Sequence, residues 1–247
     1  AVKYLVEPKF ALERKVVALT QESLVAKLRT VSMIFITMPS LEDIKSFSKL
    51  MRNVLTRYLP LLYLSFFLFF TAANLFLTSY TPFLKSRQMD DSGVFIIFST
   101  LSILQAAIYP ITGRACGRFG EARVVLSALW LRTVGFLAGV AAVVLMLRNS
   151  ALLIASVASI AMVGTAFAFY NTSSSVLLFR SLAAGKQGEL LGVYSALSGI
   201  AAFVGAIMSG YLSFHFGYGT TFVAATSLLI GCALTLRSAL REHSRPT

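Results

Sequence analysis

The chain has 247 residues, 57% of them hydrophobic, a mean hydropathy of +0.77 and a formal charge of +12. Only 13% are charged, against about 25% in a soluble domain, and so few charges cannot cover a water-facing surface. Nucleic-acid binding is excluded as the reason for the positive balance. The basic residues lie mostly at the ends of apolar stretches and in the first 59 positions, with no soluble domain to present them.

Residues 1–57 differ from the rest. They hold ten of the 22 Lys and Arg residues. The run Val31 to Met38 is shorter than the roughly 20 residues a membrane span needs, and reads as a strand or an interfacial segment. Ser40, after Pro39, is placed as the N-cap of an amphipathic helix over 41–57. Leu41, Ile44, Phe47, Leu50, Val54 and Leu55 line one side of it, and Lys45, Lys49 and Arg52 another. Such a helix lies on the cytoplasmic face of a membrane. The opening at Ala1 lacks the positive flank and apolar run of a signal peptide. It reads as the interior of a longer chain or as a trimmed N-terminus.

Six apolar stretches follow, at 58–84, 93–112, 123–147, 151–179, 190–214 and 218–236. Each is long enough to cross about 30 Å of hydrocarbon at about 1.5 Å per residue. The expected connections are short: Lys85 to Ser92, Gly113 to Ala122, Arg148 to Ser150, Arg180 to Glu189 and His215 to Gly217. Twelve basic residues near span ends fall on one side (Lys45, Lys49, Arg52, Arg57, Arg114, Arg118, Arg123, Arg180, Lys186, Arg237, Arg241 and Arg245) and three on the other (Lys85, Arg87 and Arg148). The positive-inside rule then puts both ends in the cytoplasm of a multi-pass cell-membrane protein. Cys116 and Cys232 lack metal-ligand spacing and read as small apolar packing residues.

The spans repeat in threes. Gly113 to Gly120 and Gly210 to Gly217 both read G-x5-F-G, 97 residues apart, and the same offset carries Asn74 onto Asn171. Gly93-Val94-Phe95 and Gly192-Val193-Tyr194 match at an offset of 99. Because three is odd, the second set is inverted. The fold class expected is an all-α membrane protein of six transmembrane helices arranged as two inverted three-helix repeats.

At this point residues 58–241 resemble the C-terminal half of a major facilitator superfamily transporter. In that family a basic loop close to G-x3-D-R-x-G-R-R/K joins the second and third spans of a half. Gly113, Arg118 and Gly120 match it, Gly117 stands at the Asp position, Glu121 replaces a basic residue, and Arg123 follows. The run Gly188 to Ser195, with Gly199, Gly205 and Gly210, looks like the family's eleventh span. The antiporter Gly-Pro pair of that region is Gly205-Ala206 here. The resemblance implies that residues 1–57 join two halves, that 242–247 are a cytoplasmic tail, and that Gly113, Arg118, Gly120 and Arg123 form a gating loop.

Polar groups inside spans are the site candidates, because each is expensive in lipid. Ser102, Gln105, Tyr109 and Thr112 share one helix face, read equally as a solute-facing stripe and as interhelical hydrogen bonding. Asn74 and Asn171 sit where the resembled family lines its cavity. Tyr170 and Thr172 to Ser175 form the most polar intramembrane run. Tyr194 and Ser198 point to the cavity from the fifth stretch, while Ala201, Gly205 and Ser209 supply close helix packing. Arg132 is expected to snorkel to the interface.

No Asp or Glu lies deep in a span. A proton-relay carboxylate is therefore expected outside this half, or transport is uncoupled. His215 and His243 have no metal or triad partners, and no phosphate loop or cofactor motif is present, so no enzyme, metal or cofactor is expected. The leading expectation is a secondary carrier of a small solute working by alternating access. The bilayer and a second six-helix half, covalent or a second subunit, are its expected partners. A non-transporting scaffold or receptor half is the alternative.

Overall fold

The computed structural model describes residues 58–180 and 187–243. The expected 41–57 helix and the rest of the first 57 residues lie outside them. Five helices run in order: α1 (Tyr58–Ser86), α2 (Asp91–Phe119), α3 (Glu121–Val144), α4 (Asn149–Arg180) and α5 (Gln187–His243). All five are long and apolar enough to cross a membrane.

The helix ends follow local chemistry. Asp90 caps α2 by accepting from the Gly93 amide at 3.1 Å, and Asp91 pairs with Lys85 at the end of α1. A carboxylate in the first turn also favours the positive end of the helix dipole. Glu121 opens α3 and binds Arg180 at the end of α4 through both carboxylate oxygens, at 2.7 and 2.8 Å. These two contacts tie successive helices at opposite ends of the bundle.

α1 and α4 organise the packing. α1 lies along α5, α4 lies along α2 and α3, and α3 also meets α5. Glycines let backbones approach where helices cross. A Cβ at Gly205 of α5 would sit 2.5 Å from the Thr71 carbonyl of α1, and one at Gly135 of α3 would sit 3.1 Å from the Ser159 carbonyl of α4. The Ser159 hydroxyl fills that seam by donating to the Gly135 carbonyl at 2.7 Å. Aromatic rings close the other faces: Phe76 of α1 stacks on Phe136 of α3 at 4.0 Å and lies 4.7 Å from Phe222 of α5.

Among the described residues the six expected spans appear as five helices, because the last two are joined in one helix across Gly217. α5 has 57 residues, which at about 1.5 Å per residue is far longer than a bilayer's ~30 Å core. It carries one non-helical residue, Gly217, with φ 82° and ψ 168°. The expected connection at His215 to Gly217 is therefore a single-residue break. Contacts along α1 show what the break does. Before Gly217, α5 runs with α1: Phe70 meets Tyr194, Thr71 meets Gly205 and Ser79 bonds Ser209. After it, α5 runs back: Phe83 meets Tyr218, Phe76 meets Phe222, and Cys232 Sγ donates to the Ser65 carbonyl at 3.1 Å.

The α2–α3 connection is corrected in the same way. Helix α2 continues through Gly113, Gly117 and Arg118 to Phe119, and only Gly120, at φ 82° and ψ 141°, separates it from α3. The third stretch also stops earlier than read, at Val144 rather than 147, and α5 runs into the expected tail as far as His243.

Gly217 lies in a region of backbone space that is essentially restricted to glycine and costs other residues about 1–3 kcal/mol. Gly217→Ala should destabilise the fold by about 1–3 kcal/mol and so lower the thermal midpoint. Gly219→Ala, whose new methyl meets only Val143 at an ordinary 3.5 Å, should not lower the midpoint and should raise it slightly, because alanine is the better helix former.

Candidate functional site

The polar run of α4 faces two other helices. Ser173, Ser174 and Ser175 turn their hydroxyls back to carbonyls of their own helix, at Phe169, Asn171 and Asn171, as hydroxyls in apolar helices do. The remaining polar side chains reach across. Thr112 of α2 donates to Thr172 Oγ1 at 2.8 Å. Asn171 Nδ2 donates to Tyr109 Oη of α2 at 3.2 Å, and Tyr194 Oη of α5 donates to Asn171 Oδ1 at 3.4 Å. Asn171 therefore joins three helices with both ends of its amide. Phe66 and Phe70 of α1 set their rings against Tyr194, 5.1 and 5.8 Å away.

Three of the six expected cavity residues are thus brought together: Tyr109, Asn171 and Tyr194. The other three are not. Asn74 donates to its own helix at the Phe70 carbonyl, 2.9 Å away, and packs against Gly205. Ser198 donates to the Ser195 carbonyl at 2.8 Å. Gln105 is half-buried on α2 and stands outside the triad. The triad is graded in exposure. Tyr194 is buried at 7%, Asn171 is half-buried, and Tyr109 is 37% exposed.

The expected gating-loop residues are helical except for one. Gly113 and Arg118 lie in the last turns of α2, Gly120 is the break and Arg123 is in the first turn of α3. The Arg118 guanidinium lies over the Phe119 ring at 5.4 Å.

Arg132 overturns its expectation. It does not snorkel: it is 1% exposed, inside the bundle. Its guanidinium lies 4.5 Å from the centre of Phe69, and 5.5 Å from the centres of both Phe136 and Phe167. Neither Nε nor Nη1 has an acceptor. Phe69 also stacks on Tyr170 at 3.5 Å, so the cage stands one residue from Asn171. A sequence signal existed. Arg132 shares the helical face of Val125, Ala128, Leu129, Phe136 and Gly139, and that face is buried.

Among the described residues no three His, Cys, Asp or Glu side chains converge as a metal site. Cys116 and Cys232 are free and buried.

Long apolar helices packed through glycine seams, with polar side chains bonded between them at membrane depth, define a multi-pass helical membrane protein. The profile of the Major Facilitator Superfamily matches residues 62–247, three quarters of the chain. The chain belongs to that superfamily, and it is a transporter of the major facilitator kind. No curated protein matches it.

Proposed function

We propose that this chain is the C-terminal six-span half of a secondary carrier that moves a small solute by alternating access, with both ends cytoplasmic in the cell membrane. The observation that carries this reading is the Asn171 triad. A hydrogen-bonded polar cluster that becomes progressively exposed at membrane depth suits a water-filled cavity rather than lipid. The helix bearing its exposed end, α2, has almost none of its apolar window buried, against about half for α1 and α3. The outward face of α2 and of α5 before Gly217 (Ile103, Ile111, Phe203, Ile207 and Tyr211) is where a second six-helix half would close the cavity.

The reversal of α5 along α1 supports counting its two arms as separate spans. An inverted repeat at offset 97 is supported by three pairings. Gly120 and Gly217, 97 residues apart, both have φ of 82°. The same offset carries Gly135 to Cys232 and Ser65 to Met162, and Gly135 lies against Met162 as Cys232 lies against Ser65. α4 lies along α2 and α3 as α1 lies along the two arms of α5.

The test is solute uptake into vesicles holding the whole assembly, after a thermal-shift screen of sugars, amino acids and carboxylates. A solute at 100 times its Kd stabilises by about 2.7 kcal/mol. Asn171→Leu removes two cross-helix bonds and should reduce uptake by about tenfold or more, since it takes a partner from the buried Tyr194 hydroxyl, and a buried polar group left unpaired costs about 1–3 kcal/mol. Asn74→Leu should leave uptake within about twofold, because its single bond is local and interhelical polar contacts average only about 0.6 kcal/mol. Folded protein with no flux for any solute would favour a scaffold or receptor half instead.

A further inference from the structure

A groove of about 530 Å³ opens between α2, α3 and α4 at the end of the bundle where α2 and α3 part. Two alanines, Ala115 and Ala128, leave its floor hollow, and Phe119, Leu131 and Phe169 wall it. The one neutral polar side chain lining it, Ser127, donates its proton to its own helix at the Val124 carbonyl, 2.8 Å away, so the hollow offers a ligand no neutral donor. Its mouth is different. Arg123 lines it and is exposed, Arg118 rests on the Phe119 wall, and Arg114 is exposed one residue before Ala115. Among the described residues the acid beside this mouth, Glu121, has both oxygens taken by Arg180. An apolar slot with a cationic rim on a lipid-facing surface matches an amphiphile with an anionic head and a slender tail.

We infer that this groove binds an acidic phospholipid, with one acyl chain between Ala115, Ala128 and Phe169 and the phosphate against Arg123. The charge argument selects lipid over a peptide, which would need hydrogen-bond partners that the groove lacks. The site stands apart from the Asn171 triad, so it does not rest on the transport reading. With both ends cytoplasmic, as proposed above, this basic end is also the side on which acidic lipids collect.

The chain carries its own reporter. Trp130, the only tryptophan, is 55% exposed beside the groove residue Leu131. The 247-residue chain is reconstituted in nanodiscs of dioleoylphosphatidylcholine doped with either dibrominated phosphatidylglycerol or dibrominated phosphatidylcholine, whose bromines quench tryptophan on contact. Half-maximal quenching should need about fivefold less phosphatidylglycerol than phosphatidylcholine, the selectivity one arginine gives near an anionic headgroup. Arg123→Gln should bring that ratio close to one while leaving phosphatidylcholine quenching unchanged. Arg148→Gln, at the opposite end, should keep the ratio. Ala128→Phe fills the hollow and should abolish the preference, at some cost to the thermal midpoint because Ala128 is only 3% exposed. Equal quenching by the two lipids in the unaltered chain would overturn the proposal. So would a preference that survives both Arg123→Gln and Ala128→Phe, because the preference would then come from overall positive charge.

Discussion

Gly205→Leu should leave no correctly packed α1–α5 pair. A Cβ at this position meets the Thr71 carbonyl at 2.5 Å, Asn74 Cβ at 3.0 Å and the Leu75 amide nitrogen at 3.2 Å. Two of the three are backbone atoms within a helix, which cannot turn aside as a side-chain end can. Overpacking ordinarily costs about 1–3 kcal/mol, and more where no rotamer relieves it. A leucine here must push the two helices apart along a seam that also holds the Ser79–Ser209 bond one turn further on. Gly205→Ala should cost about 2–3 kcal/mol by the same argument, at the upper end of that overpacking range. Size-exclusion profiles and thermal midpoints in detergent measure both. Gly210→Ala is the control. Its Cβ meets no heavy atom within 4 Å, and alanine is better than glycine inside a helix by about 0.5–1 kcal/mol. It should therefore raise the midpoint. If both alanine variants behave alike, the close approach at Gly205 is not what limits packing.

The same pair shows what a sequence can and cannot report. Apolar stretches were legible because hydrocarbon demands them, and the belonging to a transporter superfamily followed from the Gly113–Arg118–Gly120 pattern and the glycines around 188–210. Helix ends were less legible. Hydropathy falls at Gly113, but a helix ends where its hydrogen bonds end. Gly113 and Gly117 stay helical, and only the positive φ of Gly120 breaks the rod. The break at Gly217 is a single residue for the same reason. Site residues depended on geometry that spacing does not carry. Asn74 and Asn171 hold equivalent places in the two triplets, yet Asn74 faces a glycine and bonds its own helix, whereas Asn171 finds a phenol on each side. Which of two matched asparagines bridges helices is set by the height of Tyr109 and Tyr194 on their helices. Phe66 and Phe69 of α1 are buried, and a Phe-rich apolar run gives no sign of which face the neighbours cover.

Arg132 separates charge from volume. A cation at mid-bilayer costs about 2.5–3.5 kcal/mol on insertion scales. A desolvated guanidinium over an aromatic face recovers about 2 kcal/mol, and Arg132 has three such rings within 5.5 Å. Against a single ring the deficit is about 0.5–1.5 kcal/mol, and the other two rings narrow it. Arg132→Met keeps an unbranched side chain that can fill the cage while removing the cation and its unmet hydrogen bonds. It should therefore shift stability by less than about 1 kcal/mol, the usual scale of a volume-conserving exchange. Arg132→Ala removes the volume as well and leaves a hollow between Phe69, Phe136 and Phe167. It should cost about 2–5 kcal/mol, as truncations of large core side chains do, lowering the midpoint by several degrees at least. Arg132→Glu should be worst, because it sets an anion against the electron-rich ring faces that hold the cation. The order of midpoints expected is Arg ≈ Met > Ala > Glu. If Met proves as damaging as Ala, the positive charge itself is what holds α1, α3 and α4 around the cage, and the rings outweigh the membrane's penalty on a lone cation. That outcome would place the guanidinium, not its packing volume, behind the stacked Phe69 and Tyr170 that flank the Asn171 triad.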